Sequence, residues 1–276
     1  MNCLVTGVDG FIGKHLAKFL TDSGHNVFGA DLKRRLDILK QPIPGTWDLI
    51  FHLAAVSRTP VALANPVDCF STNIMGSINV LEVARLGRAK RVVMASSNVI
   101  YAANTPYRAS KLAMEQAAEA YRDSYGASVV CLRFSNVTGP GYPKGDMACV
   151  AAMRDSFVER GYVEITGDGE QSRDFSHVTD ICRALLLAAE SSYLGPPLDI
   201  CTGRNITMNR VVDLMEEVLG ERIERRYVAE RAGDCKHIYQ DPARAEEAIG
   251  YCAERFGEEA IREVAEECRV LLTSPK

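Results

Sequence analysis

Apolar positions along this chain alternate between two rhythms. Short continuous runs at Cys3–Thr6, His25–Ala30 (HNVFGA), Leu49–Ala54 (LIFHLA), Arg91–Ser96 (RVVMAS) and Ser128–Phe134 (SVVCLRF) read as buried strands. Between them, helical spacing starts at Phe11 and recurs over Pro66–Leu86 and Tyr107–Tyr125. Strand and helix in alternation predict a doubly wound parallel sheet, class α/β. After Gly139 the rhythm breaks into a loop (GPGYPKGD), a helix to about Arg160, a short strand VEIT and a glycine-rich turn GDGEQSRDF. A helix over 177–190 and a strand around Leu198–Cys201 return to the sheet. Helices near 207–219, 242–248 and 256–272 and a strand at Arg222–Tyr227 follow. The pattern predicts a nucleotide-binding domain of residues 1–138 plus 177–201, and a smaller mixed α/β C-terminal lobe of 139–176 plus 202–276 for the substrate. Ligands of open α/β sheets bind at the C-terminal edge of the strands, between such parts.

The first strand ends in TGVDGFIG. Gly7, Gly10 and Gly13 stand where a side chain would obstruct a tight turn, the approach of backbone to a phosphate, or helix packing. What they leave is a helix N-terminus whose free N–H groups and dipole favour an anion. About twenty residues on, the second strand ends in Asp31, where a carboxylate accepts hydrogen bonds from an adenosine ribose. The unit reads as a Rossmann-type dinucleotide site, with Asp31 favouring NAD by repelling a 2′-phosphate. Lys33, Arg34 and Arg35 follow at once; they could offset that repulsion and admit NADP.

Composition narrows the partners. The 276 residues are 47% hydrophobic and 25% charged, with a formal net charge of −4 and no long basic tract, so nothing marks a nucleic-acid surface. No apolar run reaches membrane-spanning length, and the first residues enter a strand with no room for a signal peptide. Nine scattered cysteines without a C-x-x-C pair fit a reducing, cytoplasmic setting, and neither they nor the five histidines have metal-ligand spacing; no metal is expected.

Chemistry concentrates in two places. Tyr107 and Lys111, four apart at the start of a helix, share a face. A cation within about 4 to 6 Å lowers an acid's pKa by roughly 1 to 3 units, making a phenolate accessible. Ser97 ends the strand RVVMASS, where it can hydrogen-bond the same substrate oxygen.

TGVDGFIG, Asp31, LDI at 36–38, HLAA at 52–55, ASSNVIY at 95–101, YRASK at 107–111, RFSNVTGPG at 133–141 and GDGEQSRDFSHVTD at 167–180 together resemble the extended short-chain dehydrogenase/reductase family, the nucleotide-sugar epimerases and dehydratases. The motifs run in the family's order over nearly the whole chain. The resemblance implies that Gly7, Gly10, Phe11, Ile12 and Gly13 hold the pyrophosphate of NAD and Asp31 its adenosine ribose. Asp37 and Ile38 would flank the adenine, Leu53, Ala54 and Ala55 line the cofactor channel, Asn73 sit beside the nicotinamide side, and Phe134 lie near the cofactor. Tyr107 becomes the acid/base, Lys111 binds the nicotinamide ribose and lowers the tyrosine's pKa, and Ser97 completes the triad. Asn136, Arg173, Arg231 and Asp234 match positions that grip the substrate's nucleoside diphosphate, a role suited to the planar fork of arginine.

Dehydratases of this family carry an acid just after the catalytic serine or threonine, where this chain has Asn98 and Val99; between Tyr101 and Tyr107 it has only AANTP, where relatives carry a longer loop. The expectation is an NAD-dependent nucleotide-sugar 4-epimerase, a UDP-sugar being the first candidate substrate. The alternatives are a reductase of a 4-keto-6-deoxy nucleotide sugar and, in another class, a non-catalytic NAD(P)-binding sensor or scaffold. Helices 66–86 and 107–125 match the pair that relatives pack into a homodimer.

Overall fold

The computed structural model describes the chain apart from residues 41–42, 231–234 and 274–276. In chain order its elements are β1 (Asn2–Thr6), α1 (Phe11–Asp22), β2 (Asn26–Ala30), β3 (Leu49–His52), α2 (Thr59–Ala64), α3 (Pro66–Phe70), α4 (Gly76–Gly87), β4 (Arg91–Ser97), α5 (Pro106–Tyr125) and β5 (Val129–Phe134). There follow β6 (Asn136–Thr138), α6 (Cys149–Arg160), β7 (Tyr162–Thr166), β8 (Ser172–His177), α7 (Val178–Glu190), β9 (Leu198–Ile200), β10 (Asn205–Thr207), α8 (Met208–Leu219), β11 (Glu224–Val228), α9 (Ala243–Ile249) and α10 (Gly257–Thr273).

The main sheet has six parallel strands in the order β2-β1-β3-β4-β5-β9. Its strands carry little but apolar side chains because helices cover both faces. On one face Leu16 and Leu20 of α1 and Ile181 and Leu185 of α7 pack with Val5, Phe51, Val93 and Leu132. On the other, Val80 and Leu81 of α4 and Met114 of α5 meet Leu4, Ile50 and Met94. A separate core joins Phe157 of α6, Val163 and Ile165 of β7, Val211 and Met215 of α8 and Ile261 and Val264 of α10. Ala245, Ile249 and Tyr251, which the sequence groups with the smaller lobe, pack instead into the core of the large sheet. Among the described residues no helix is long and apolar enough to cross a membrane.

Two local expectations are corrected. The single helix over 66–86 is broken by a wide π turn at Ser71–Met75, and α2 precedes it as a separate helix. In GDGEQSRDF only the first residues turn; Ser172–His177 is a strand, the centre of a three-stranded sheet with β6 parallel and β10 antiparallel to it. The last strand pairs in parallel with β7 in a two-stranded sheet of its own.

The glycine turn joins these layers most tightly. Gly7 has φ +71°, and a Cβ there would lie 2.7 Å from the Ala54 nitrogen. A Cβ on Gly13 would lie 2.1 Å from the Gly7 carbonyl oxygen and 2.7 Å from Val8 Cα. Both neighbours are backbone and cannot rotate away. Gly13→Ala is expected to cost about 3 kcal/mol, the upper end for forced overpacking, and to lower Tm by roughly 6 to 12 °C. Calorimetry checks this; an unchanged Tm would mean that the turn has slack.

Candidate active site

The crevice begins where β1 feeds α1. Gly10 caps α1 from an extended conformation without a side-chain cap, so the first-turn N–H groups of Phe11, Ile12 and Gly13 have no intrahelical partner. A bare helix N-terminus reached through Gly7 and Gly13 suits a diphosphate. Asp31 closes β2: its carboxylate accepts from the backbone N–H of Asp9 at 3.1 Å and of Lys33 at 3.0 Å. Of the basic run after it, Arg34 is spent on Asp9, at 2.9 and 3.0 Å. Asp37 turns back on the Leu39 N–H at 2.9 Å, and the Ile38 side chain packs on Gly76 at the start of α4. Leu53 and Ala54 reach β1 through Leu53 N to the Thr6 carbonyl, 3.2 Å, and Ala54 N to Thr6 Oγ1, 3.2 Å. They lead with Ala55 away from the turn.

Beneath this floor runs a chain of buried hydrogen bonds. Thr6 Oγ1 and His52 Nδ1 are 2.8 Å apart, His52 Nε2 and Ser77 Oγ 2.9 Å, and Ser77 Oγ donates to the Asn73 carbonyl at 2.7 Å. Ser77 spends its one proton on Asn73, so His52 must donate through Nε2 and accept through Nδ1. Burial first, and the charge of Lys111 second, push His52 down to about 3, so the imidazole is neutral. Asn73 itself is 1% exposed. Its amide donates to the Val56 carbonyl at 3.0 Å and to Ser110 Oγ at 2.9 Å and accepts from the Val56 N–H at 2.8 Å. Ser110 passes its proton to the Tyr107 carbonyl, 2.8 Å away. Asn73 is therefore a clamp between the loop after β3 and α5. The π turn at 71–75 carries it.

Thr105 caps α5 by accepting from the Arg108 N–H at 3.2 Å, and Pro106 fits its first turn. Tyr107 and Lys111 follow, 8% and 4% exposed. Burial pushes the Tyr107 phenol above its ordinary value, while hydrogen bonding from Ser97 and the positive charge of Arg58 pull it back. Lys111 donates to the Ala95 carbonyl at 2.7 Å, and desolvation lowers its ammonium to about 8. The positive charge that acts on the phenol in this structure is that of Arg58, while the Lys111 ammonium is held on the Ala95 carbonyl. Ser97 Oγ accepts from the Val99 N–H at 3.2 Å, and buried Asn98 keeps an amide nitrogen without a partner. Phe134 lies in register with Ser97 on the next strand but is 5% exposed, part of the core.

On the far side Asn136 donates to the Asp174 carbonyl at 3.2 Å, and Arg173 donates to the carbonyls of Ser172 and Lys236 at 2.8 and 3.2 Å. Strands β6 and β8 are paired, so Asn136 and Arg173 stand near one another. Arg231 and Asp234 lie outside the described residues. The residues after Gly139, expected as plain loop, span the two sides. The Tyr142 ring stacks on Phe11 at 3.7 Å between centroids, and the Pro140 carbonyl meets His15 Nε2 at 3.0 Å. Sequence reasoning missed Tyr142 and Arg58, since neither carries a periodic or motif signal.

A glycine cradle at a helix N-terminus, an acid ending the second strand and a Ser, Tyr and Lys set at the edge of a parallel sheet agree with the family comparison. The model of the NAD dependent epimerase/dehydratase family matches residues 3–201. The chain belongs to this family. It is 29% identical over 306 residues to a UDP-glucuronate 4-epimerase of Thermodesulfobacterium geofontis, covering 94% of this chain and 93% of that protein. Among solved structures it resembles a UDP-N-acetylglucosamine 4-epimerase of Methanobrevibacter ruminantium bound to UDP-N-acetylmuramic acid. The TM-score is 0.89 at 29% identity, over 96% of this chain and 97% of that one. A Thermus thermophilus UDP-glucose 4-epimerase in complex with NAD has TM-score 0.87 at 26% identity, over 98% and 99% of the two chains.

For this family member, Asn73→Ala is expected to strand the Val56 N–H and carbonyl and lower stability by about 1 to 3 kcal/mol. NAD affinity should fall as the loop after β3 loosens. Denaturant melts and NAD titration together check this; full stability would show that Asn73 is not a clamp.

Proposed function

We propose that the protein is an NAD-dependent 4-epimerase of a nucleotide sugar, with Tyr107 as its acid and base. The observation that carries this reading is the placement of Tyr107 beside Ser97 at the C-terminal edge of β4, on the helix that Asn73 ties to the floor of the glycine turn. The relatives support a UDP-sugar as substrate: those named above share uridine diphosphate and C4 as the reacting centre and differ in the sugar.

NAD held in this cradle would supply a hydride acceptor and donor for C4 of the sugar. The rest falls to this chain's residues. The N–H groups of Phe11, Ile12 and Gly13 hold the cofactor's diphosphate, Asp31 its adenosine ribose, and Lys111 its nicotinamide ribose. Tyr107 removes the proton of the C4 hydroxyl and later restores it, and Ser97 donates to the same oxygen. Asn136 and Arg173, with Arg231 and Asp234, grip the substrate's diphosphate so that the sugar can turn over within the pocket. Asn98 offers no acid after Ser97, so elimination of water has no second proton carrier. A reductase using NADPH draws on the basic run after Asp31, but Arg34 of that run is held by Asp9.

A cytoplasmic setting is read from the nine scattered cysteines without a C-x-x-C pair. Val67, Phe70, Met75 and Leu86, on α3, the π turn and α4, expose apolar surface suited to a homodimer.

Tyr107→Phe keeps the ring and loses only the phenol oxygen. Turnover of UDP-glucose, UDP-glucuronate or UDP-N-acetylglucosamine, whichever the wild type accepts, should fall by roughly 10² to 10⁴, as for loss of an acid/base group, with NAD affinity retained. Wild-type turnover in this variant would remove Tyr107 from the mechanism.

A further inference from the structure

Helix α5 carries Tyr107 in its first turn, and three of its side chains reach back to β4 and the residues that follow it. Arg108 donates through Nε to the Ile100 carbonyl at 2.9 Å, and Lys111 to the Ala95 carbonyl at 2.7 Å. Glu115 accepts from Ser96 Oγ at 2.5 Å. Ser97 lies between these anchors: Ala95 and Ser96 precede it and Ile100 follows it. Its Oγ accepts from the Val99 N–H at 3.2 Å and so caps the tight helical turn Asn98–Tyr101. A hydroxyl that accepts there keeps its own proton for another oxygen.

Each anchor is itself held. Buried Glu115 takes Nε and Nη2 of Arg133 on its two oxygens, at 2.9 and 2.8 Å, the parallel fork of a strong Arg–carboxylate pair. Arg133 Nη1 donates to Tyr101 Oη at 3.0 Å, and that hydroxyl donates to Asp199 at 2.9 Å. The last residue of the turn is thereby tied to β5 and β9. Arg108 closes the other side. Its Nη1 reaches Asn104 Oδ1 at 3.3 Å, and its N–H is the one that Thr105 caps. Because only AANTP separates Tyr101 from Tyr107, the turn comes within reach of the third residue of α5. Bonds on one side of Ser97 alone would leave the turn free to tilt about the end of β4; bonds on both sides fix it.

We propose that Arg108 and Glu115 are positioning residues for proton transfer: from the helix that carries Tyr107 they hold the chain on either side of Ser97, and so fix the Ser97 hydroxyl against the substrate oxygen on which Tyr107 acts. The inference deepens, and rests on, the reading of Ser97 and Tyr107 as partners at the C4 hydroxyl. A group displaced by about 1 Å can cost up to roughly 10² in rate. That cost passes through Ser97, so it vanishes where Ser97 has no hydroxyl. Loss of a purely structural tie costs the same in either background.

The test is a double-mutant cycle on the full chain loaded with NAD, assayed with UDP-glucose, UDP-glucuronate and UDP-N-acetylglucosamine. Assays run below the melting transition of every variant. Arg108→Ala removes the anchor after Ser97; Ser96→Ala removes the one before it and leaves the Glu115–Arg133 pair in place. Each should lower kcat roughly 10- to 100-fold, with KM and NAD affinity little changed. In a Ser97→Ala background the same substitutions should cost no more than about twofold, the usual error of additivity. Arg108→Lys keeps a donor and should recover most of the loss. Should Arg108→Ala fail to fold, Ser96→Ala carries the cycle by itself. Wild-type kcat in these variants, or an equal loss with and without the Ser97 hydroxyl, overturns the proposal. Failure of the parent reading is seen separately: wild-type turnover in Ser97→Ala or Tyr107→Phe removes that residue from the mechanism, and the proposal with it.

Discussion

The crevice depends on a contact between backbones. Gly7 lies against Ala54 and Gly13 against the Gly7 carbonyl so closely that neither tolerates a single added carbon. That contact brings the N-terminus of α1 to the edge of the sheet and lets Leu53 and Ala54 hydrogen-bond to β1. With the turn and β3 fixed, His52 can bridge Thr6 to Ser77, and Ser77 can hold the carbonyl of Asn73. Tyr107, proposed above as the acid and base, is reached at the end of this chain of bonds, through Ser110. The glycine turn and Tyr107 are thereby parts of one hydrogen-bonded floor, and a site built that way holds its geometry better than one on mobile loops.

The local chemistry is a balance between burial and charge. Enclosing the Tyr107 ring among Ala62, Cys69, Val56 and Val99 shields the phenol from water and raises its proton affinity. Ser97 and Arg58 work against that rise. Desolvation lowers Lys111 to about 8, so its ammonium still carries most of its charge at neutral pH. Neutral His52 beneath it adds no competing charge to the floor.

Much of this was legible in the chain. The alternation of apolar runs with helical spacing is dictated by a sheet covered on both faces, so five of the six strands of the large sheet and the return of the sixth could be read directly. The glycines were legible because the close approach of backbones leaves a fixed spacing. Three kinds of feature were not. The π turn at Ser71–Met75 keeps the apolar rhythm of a helix while shifting its register, so Pro66–Leu86 looked continuous. The strand Ser172–His177 carries Ser, Arg, Asp and His and owes its form to its neighbours in a small sheet rather than to its own pattern. Arg58 meets Asp146 across 88 positions of chain. A lone arginine after HLAAVS signals nothing until the fold brings its partner to it.

The account stands or falls on whether hydrogen leaves and returns to C4 of the sugar within one closed cycle. Wild-type protein, incubated with UDP-glucose, UDP-glucuronate and UDP-N-acetylglucosamine each carrying deuterium at C4 and without added reductant, gives the most direct measurement, by NMR of the products. The account predicts that at least one substrate equilibrates with its C4 epimer, that the deuterium stays at C4, and that none passes to water. Loss of the label to solvent, a requirement for added NADPH, or a 4-keto product that accumulates would contradict it.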